Sequence, residues 1–203
     1  MVKAVVFDLG RVLVDFDYMI AARRIAAHSK MSPEGLMAVL VRSPVFTQYE
    51  RGRVTRREVF NEICRASGFN GSLEEFSVFF SDIFAEIKPM VGLHAQLRER
   101  GLATYVFSNT NDLAVEHIRR AFPFFSNFDG YVFSYEHGIL KPEAGLYEVL
   151  ERQSGRRAGE VLYLDDRPEN IAAGAARGWR VVLQESPEKS LAAVRELGLL
   201  NRG

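Results

Sequence analysis

The stretch KAVVFDLG, residues 3–10, decides the fold class of this chain. Its apolar run is short and uninterrupted, and Asp8 and Gly10 follow where the run ends. Continuous apolarity, rather than alternation of apolar and polar residues, is typical of a strand that is buried on both faces of a parallel sheet. We therefore predict a buried strand at residues 3–7, with the carboxylate of Asp8 at its carboxyl end.

Similar apolar runs recur along the chain, at residues 103–107, 130–133, 161–164 and 179–183. Segments with helical patterning lie between them, at residues 112–121, 142–153, 168–177 and 187–197. A proline suits the first turn of the helix at 142–153, and Ser186 and Gly198 are suitable caps for the last helix. The alternation of strands and helices predicts an α/β fold with a Rossmann-like, doubly wound parallel sheet.

Residues 15–86 break this alternation, because they contain no convincing buried strand. Thr55 and Ser72 each precede a glutamate by three residues, which is the spacing of a helix capping box. We predict an all-helical cap domain at residues 15–86, inserted into an α/β core formed by residues 1–14 and 87–203. Four phenylalanines recur there at helical spacing, and core packing is favoured over sugar stacking for them: Phe76, Phe79, Phe80 and Phe84.

The composition limits the classes of partner. Of 203 residues, 47% are hydrophobic, and 26 basic residues balance 26 acidic ones. This neutral balance argues against wholesale binding to nucleic acid or to acidic membranes. A single cysteine, Cys64, excludes an intramolecular disulfide and a cysteine-rich zinc site. Asp8 comes too early for a signal peptide, and no apolar stretch approaches the ~20 residues that cross a bilayer. We expect a cytoplasmic monomer or homodimer.

Polar residues follow the predicted strands at their carboxyl ends, where ligands bind in open α/β sheets. Asp8 and Gly10 follow the first strand, Ser108 and Asn109 follow the second, and an acidic pair at residues 165–166 follows the fourth. Taken alone, Asp8 could be a turn residue, and Ser108 and Asn109 could cap the next helix.

The remaining polar residues near this edge are Lys141, Asp165 and Asp166. Lys141 alone could be a solvated loop residue. Adjacent carboxylates beside a buried strand repel each other unless a cation or hydrogen bonds hold them, so Asp165 and Asp166 indicate a site more strongly. It is the joint occurrence of these residues, in this order, that favours a catalytic function.

This order of motifs resembles the haloacid dehalogenase-like hydrolase superfamily over essentially the whole chain. In that family one strand ends in a nucleophilic aspartate, here Asp8, and a second ends in serine or threonine, here Ser108. The helical insertion resembles the smaller cap type of the family. Residues 7–17, 50–52 and 108–111 further resemble a bacterial subgroup that includes sugar-1-phosphate phosphatases, among them α-D-glucose-1-phosphate phosphatases.

The resemblance implies Mg²⁺ as the cofactor of a phosphatase that forms an aspartyl-phosphate on Asp8. The implied metal ligands are Asp8, the backbone carbonyl of Gly10, and Asp166. Asp165 lies behind them or serves as an alternate ligand. Asn170 follows the acidic pair and could orient it, or could be a plain helix residue.

The resemblance also implies how phosphate is bound. Lys141 would hold both the nucleophile and the phosphate, as a point charge. The Ser108 hydroxyl and the amide of Asn109 would donate hydrogen bonds to phosphate oxygens at the start of a helix. Gly10 would lie against the substrate at the same edge of the sheet.

Gly10 departs from the pattern of most phosphatases of this family, which carry a second aspartate there as general acid and base. Such assistance is worth about 10²–10⁴-fold in rate. Three explanations remain open: a weakly catalytic domain that binds phosphometabolites or a protein partner, a metal-independent haloacid dehalogenase, or a phosphatase whose substrates have good leaving groups. We favour the third, with small phosphorylated metabolites as substrates and sugar-1-phosphates preferred over sugar-6-phosphates. For Asp15 and Asp17, a role in starting the cap is favoured over proton donation.

Overall fold

The structure is a computed structural model that describes residues 1–200, apart from the side chains at positions 41 and 42; the end of the predicted core, 201–203, lies outside the described residues. Up to residue 86 the elements are β1 Ala4–Phe7, β2 Val14–Phe16, α1 Tyr18–Ala26, α2 Pro33–Arg42, α3 Pro44–Glu50, α4 Arg56–Ser67, α5 Leu73–Ser81 and β3 Phe84–Glu86. They are followed by α6 Lys88–Glu99, β4 Ala103–Ser108, α7 Asp112–Ala121, β5 Gly130–Phe133, α8 Ser134–His137, α9 Ala144–Ser154, β6 Val161–Asp165, α10 Pro168–Ala176, β7 Arg180–Leu183 and α11 Pro187–Glu196. Short 3₁₀ turns occur at Pro123–Ser126 and Ala158–Glu160.

Within residues 1–200, the main sheet has the strand order β5-β4-β1-β6-β7, and all neighbouring strands are parallel. The predicted strands are confirmed to within one residue at each end. The chain leaves β1 and later returns on both of its sides, with β4 on one side and β6 on the other. This change of direction places a crevice beyond the carboxyl end of β1, where α/β proteins bind ligands.

The first strand shows why its sequence is continuously apolar. Val5 and Phe7 pack on one face of the sheet against residues of α6, α7 and α11. Ala4 and Val6 pack on the other face, against residues of α9 and α10. All four side chains are fully buried. The doubly wound α/β fold predicted from the sequence is therefore confirmed.

Helices α1 to α5 lie between β2 and β3 and have an apolar core of their own. The predicted capping boxes are present: Thr55 accepts from the amide of Glu58, and the Glu58 carboxylate accepts from the amide of Thr55 at 2.7 Å. Ser72 and Glu75 repeat this arrangement. Of the four phenylalanines, two are buried in this core, and the other two are half-buried: Phe76 and Phe80, then Phe79 and Phe84.

A two-stranded antiparallel ribbon of β2 and β3 was not predicted. Each strand is only three residues long, too short to show a pattern in the sequence. The predicted limits of the cap at residues 15 and 86 fall inside β2 and at the end of β3. None of the helices within residues 1–200 is both long and apolar enough to cross a membrane.

The predicted start of the helix at residue 142 is wrong, because α9 begins at Ala144. The Lys141 amide donates to Asn109 Oδ1 at 2.8 Å, and Asn109 Nδ2 donates to the Lys141 carbonyl oxygen at 3.0 Å. These two hydrogen bonds hold the backbone before Pro142 against the end of β4. The segment is thereby kept out of the helix, and Lys141 is directed towards the sheet edge.

Candidate active site

Three charged side chains meet at the carboxyl edge of the sheet. Lys141 Nζ lies 3.0 Å from Asp8 Oδ1 and 2.7 Å from Asp165 Oδ2. The same ammonium donates to the carbonyl oxygen of Phe107 at 2.8 Å. All three charged residues are buried, and Asp165 is completely so. The structure thus brings Asp8 together with two residues that are more than 130 positions away from it in the sequence.

Burial and mutual charge set the protonation of this cluster. Burial raises the pKa of Asp8 to about 7, while the charge of Lys141 opposes this shift and that of Asp165 adds to it. Burial alone would lower the pKa of Lys141, but Asp8 and Asp165 raise it. The lysine therefore keeps its proton, and the Asp8 carboxylate is held in a site where additional positive charge would stabilise it.

Asp165 is held by hydrogen bonds on both of its oxygens. The Arg167 amide donates to Oδ1 at 2.8 Å, and Asn170 Nδ2 lies 3.0 and 3.1 Å from the two oxygens. The Tyr163 hydroxyl donates to Oδ2, which also accepts from Lys141. Asn170 therefore orients Asp165, which was one of the two possibilities left open by the sequence.

A pocket of about 370 Å³ lies directly above Asp8. Its lining includes every predicted site residue except the fully buried Asp165: Asp8, Gly10, Ser108, Asn109, Lys141 and Asp166. The segment that carries Ser108 and Asn109 leads into α7, whose N-cap is Asn111. The pocket thus combines a buried lysine with hydroxyl and amide donors on the segment that precedes a helix, which are groups that bind phosphate.

The acidic residues fit a divalent cation. Asp8, Asp165 and Asp166 each place a carboxylate oxygen within 4.8 Å of the others. Burial, followed by the charge of Asp165, raises the pKa of Asp166. Because Lys141 balances only one of the three negative charges, a cation with hard oxygen preference such as Mg²⁺ would relieve the repulsion. The hydrogen bonds on Asp165 leave Asp8 and Asp166 as the carboxylates best suited to hold it.

Four further residues line the pocket although their sequence context did not predict it: Arg11, Phe16, Glu50 and Arg167. Glu50 comes from the end of α3, so it faces the carboxyl edge of the sheet from the helical insertion. Burial raises the pKa of Glu50, and the charges of Arg167 and Lys141 oppose this shift. The signal for Glu50 was present in the motif at residues 50–52, but one sequence does not reveal where such a side chain points.

The motif at residues 50–52 attaches the insertion to the sheet domain. The Glu50 carbonyl oxygen accepts from Ser134 Oγ at 2.6 Å, and Arg51 Nη2 pairs with Glu143 Oε1 at 2.5 Å. Gly52 has φ +63°, and a Cβ there would lie 2.0 Å from the Tyr135 carbonyl oxygen. The glycine is therefore required for close approach of the two backbones, which fixes the position of Glu50.

The two aspartates near the start of the insertion have local roles. Asp17 caps α1 by accepting from the amide of Met19 at 2.8 Å. Asp15 pairs with Arg11 and also accepts from the amide of Phe16. These contacts agree with the interpretation that both residues start the insertion.

Comparison with known proteins identifies the family. The family model described as haloacid dehalogenase-like hydrolase matches residues 2–178. The chain belongs to this family, as the order of its motifs predicted, and it is a hydrolase of the phosphatase kind. The resemblance stated from Asp8, Ser108, Lys141 and the acidic pair is thereby confirmed at the level of the family.

Individual relatives agree with this assignment. The chain is 26% identical over 179 residues to the sesquiterpene phosphatase astK of Aspergillus oryzae, covering 87% of this chain and 86% of the relative. It is 22% identical over 192 residues to D-ribitol-5-phosphate phosphatase of Bacteroides thetaiotaomicron, covering 92% and 93%. A haloacid dehalogenase family enzyme from the same bacterium, solved with magnesium and inorganic phosphate, superposes with a TM-score of 0.76 at 23% identity, over 90% of this chain and 94% of that one.

Proposed function

We propose that this protein is a Mg²⁺-dependent phosphatase that hydrolyses small phosphorylated metabolites through a phosphoaspartate on Asp8. The observation that carries the proposal is the contact of Lys141 Nζ with Asp8 Oδ1, at 3.0 Å, inside a pocket that also contains Asp166. Asp8 and the phosphate of a monoester both carry negative charge, so Asp8 can attack phosphorus only if positive charge offsets their repulsion. Lys141 supplies one positive charge, and Asp166 can help to hold a cation that supplies more.

The side chains divide the work of phosphoryl transfer. Lys141 holds the Asp8 carboxylate in place, and its charge offsets that of the incoming phosphate. Ser108 and the backbone at Asn109 donate to phosphate oxygens at the start of α7. When bound by Asp8, Asp166 and the Gly10 carbonyl, Mg²⁺ would supply further positive charge against those oxygens.

Two displacements complete the reaction. A carboxylate oxygen of Asp8 forms a bond to phosphorus, and the bond from phosphorus to the substrate's alcohol oxygen breaks. The alcohol leaves with its electron pair and takes a proton from solvent. Water then attacks phosphorus of the phosphoaspartate, which releases inorganic phosphate and restores Asp8.

The leaving group determines which substrates react without a general acid at residue 10. An anomeric oxygen or a phenolate leaves more readily than an ordinary primary alkoxide, so its departure depends less on protonation. We therefore expect 4-nitrophenyl phosphate and sugar-1-phosphates to react faster than sugar-6-phosphates. The names of the relatives support a phosphomonoester as substrate, but they differ in its organic part.

The test is a phosphate-release assay on 4-nitrophenyl phosphate, glucose-1-phosphate and glucose-6-phosphate, with Mg²⁺ and with EDTA. Asp8→Asn should reduce turnover by roughly 10³-fold or more, while Asp82→Asn, at an exposed aspartate outside the pocket, should retain it. Acid quenching followed by peptide mass analysis should find one phosphoryl group on the peptide that contains Asp8.

Other results would contradict the proposal. Activity that survives EDTA, together with halide release from 2-haloacids, would indicate the dehalogenase alternative. Binding of phosphate esters without turnover would indicate a phosphometabolite-binding domain. Faster cleavage of glucose-6-phosphate than of glucose-1-phosphate would contradict the leaving-group argument alone.

We further propose a cytoplasmic protein that acts without nucleic acid or membrane, as a monomer or homodimer. The zero net charge supports the absence of nucleic-acid and membrane partners. Light scattering on the purified protein would determine its oligomeric state, and fractionation of cells that express it would determine its location.

A further inference from the structure

A second cavity lies between helices of the insertion and the start of α7, and it shares Glu50 with the pocket above Asp8. It has a volume of about 190 Å³. Its walls are mainly apolar and aromatic, formed by Tyr18, Met37, Leu40, Phe46 and Phe80. We call this cavity the cap chamber.

A smaller cavity of about 70 Å³ shares lining residues with both the cap chamber and the phosphate pocket above Asp8. It shares Tyr18, Glu50 and Asn111 with the chamber. With the phosphate pocket it shares Gly10 and Ser108, among others. The three spaces therefore adjoin one another, and Glu50 lines all of them on the path from Asp8 towards the helical insertion.

One wall of this path is a row of aromatic rings. Phe16, beside the phosphate pocket, contacts Tyr18 with ring centroids 5.4 Å apart. Tyr18 contacts Phe80 at 5.9 Å, and Phe80 stacks on Phe46 at 5.7 Å. Phe80 also stacks on the fully buried Phe76 at 5.5 Å, so the wall is anchored in the core of the insertion. A preformed aromatic wall of this kind binds apolar groups with little loss of side-chain freedom.

Four of the lining residues carry polar groups: the Tyr18 hydroxyl and the side chains of Thr47, Glu50 and Asn111. One of these groups is already engaged. Asn111 Oδ1 accepts from the amide of Ala114 at 3.0 Å, as the cap of α7. Thr47 and Glu50 lie at the edges of the chamber, towards solvent and towards the phosphate pocket respectively. A sugar ring buried against such a wall would lose hydrogen bonds to water without replacing most of them. An apolar group would not incur this cost.

The size of the chamber sets the size of its occupant. An apolar protein cavity of about 150 Å³ is large enough to bind benzene. The cap chamber is therefore suited to one aromatic ring or to a branched alkyl group of about six to eight carbons.

We propose that the cap chamber binds the organic part of the substrate, and that the preferred substrates are phosphate monoesters of apolar alcohols, either aryl or branched alkyl. This inference rests on the proposed phosphatase function and specifies its substrate class. With the phosphate at Asp8, the ester oxygen lies in the phosphate pocket, and the apolar group extends past Glu50 along the aromatic wall. Sugar phosphates then rank below apolar esters, with sugar-1-phosphates still above sugar-6-phosphates.

The first test compares kcat/KM for unbranched alkyl phosphates from ethyl to decyl, with the branched 3-methylbutyl phosphate, benzyl phosphate and glucose-1-phosphate alongside. Each methylene that enters the chamber should raise kcat/KM by about two- to fourfold, and the gain should cease once the chamber is filled. Benzyl phosphate should exceed glucose-1-phosphate. Equal values for ethyl and hexyl phosphate, or a preference for glucose-1-phosphate over benzyl phosphate, would overturn the inference.

Variants connect this preference to the chamber. Thr47 is exposed at the chamber edge, so Thr47→Trp should fill the cavity without disturbing the core. The ratio of kcat/KM for hexyl over ethyl phosphate should fall at least about tenfold in this variant. Val78→Trp is the matched control, because Val78 is 51% exposed on α5 and does not line the chamber. Met37→Trp is the second variant, for use if Thr47→Trp does not fold by circular dichroism.

A binding measurement separates this inference from the proposed function. In the Asp8→Asn protein, calorimetry should show tighter binding of hexyl phosphate than of ethyl phosphate, and adding Thr47→Trp should remove the difference. If no ester is hydrolysed by the wild type but this difference is found, the proposed function fails and the chamber assignment stands. If esters are hydrolysed without any dependence on chain length, the phosphatase stands and the chamber assignment fails.

Discussion

The ring of Phe16 fills the space into which a side chain at residue 10 would project. A Cβ placed on Gly10 would lie 2.8 Å from Phe16 Cε1, which is closer than such atoms approach. The glycine and the aromatic ring are therefore complementary. The space that an acidic side chain at residue 10 would need is occupied by Phe16, the first ring of the aromatic wall.

This contact predicts that the missing acid cannot be restored by one substitution. Gly10→Asp alone should cost about 1–3 kcal/mol of stability through overpacking and should not speed the hydrolysis of glucose-6-phosphate. Gly10→Asp combined with Phe16→Ala should raise kcat at least about tenfold over Phe16→Ala alone, because a general acid contributes most to a poor leaving group. Urea unfolding and steady-state assays would measure both effects. Equal activity of Phe16→Ala and of the double variant on glucose-6-phosphate would contradict the prediction.

Mg²⁺ affinity should depend on pH through Asp8. The pKa of Asp8 is raised from 3.8 to about 7 in the metal-free fold. Between these two pH values, the folded state therefore retains a proton that the unfolded state has lost. Stability of the metal-free protein contributed by this group therefore falls as pH rises through that window. Mg²⁺ held by the Asp8 carboxylate would compete with this proton, so its affinity should rise about tenfold per pH unit towards pH 7 and level off above it.

Titration of Mg²⁺ by calorimetry from pH 5.5 to 8.5 would measure this dependence. Asp8→Asn should weaken binding and flatten its pH dependence. Asp166→Asn should weaken binding but retain the part of the slope due to Asp8. Glu169→Gln, at an exposed residue of α10, serves as the matched control and should resemble the wild type. An unchanged slope in Asp8→Asn would assign the proton to another group.

Gly52→Ala should weaken the contact between the helical insertion and the sheet domain. Gly155 offers a matched control, because its φ of +65° is close to that of Gly52. A Cβ on Gly155 would have no atom within 4 Å, whereas a Cβ on Gly52 would meet the Tyr135 carbonyl oxygen. Gly155→Ala should cost about 1–2 kcal/mol through backbone conformation alone. Gly52→Ala should cost at least about 2 kcal/mol more and should also lower kcat/KM, because it displaces Glu50. Equal losses of stability, with activity retained, would show that the backbone contact is not needed.

Stability at mildly acidic pH should depend on His94. This side chain is 2% exposed, it stacks on Phe128 with ring centroids 3.9 Å apart, and burial lowers its pKa from 6.5 to about 4. Between these values the unfolded state binds a proton that the folded state does not. The stability due to neutral His94 is therefore full above pH 6.5 and is lost, by up to about 3 kcal/mol, as pH falls towards 4.

Chemical unfolding at intervals between pH 4.5 and 7.5 would test this dependence. In His94→Gln, which keeps a partner for Thr104 Oγ1, the curve should be flatter. Burial also lowers the pKa of His117, so His117→Gln serves to measure the part of the slope that remains. An identical slope in wild type and His94→Gln would contradict the prediction.

Local patterns in the sequence were sufficient to predict the sheet and most of the polar residues that meet at its carboxyl edge. A continuously apolar strand has to be buried on both faces, as Val5 and Val6 illustrate on opposite sides of β1. Parallel strands then place their carboxyl ends at one edge, so the convergence of Asp8 and Asp165 follows from the fold itself. The same reasoning placed the start of α9 two residues too early. Two hydrogen bonds between Lys141 and Asn109, which are distant in the sequence, decide where this helix begins.

Periodicity and strand ends are local properties of the chain, so the sequence was sufficient to predict the parallel sheet, the helical insertion and the order of the groups at the sheet edge. Contacts between distant segments place Glu50 at the pocket above Asp8, place Phe16 in the space beside Gly10, and leave a cavity lined by Phe46 and Phe80. An apolar pattern specifies that a face is buried, but not against which partner. Contacts between the insertion and the sheet domain depend on how two separately formed surfaces meet.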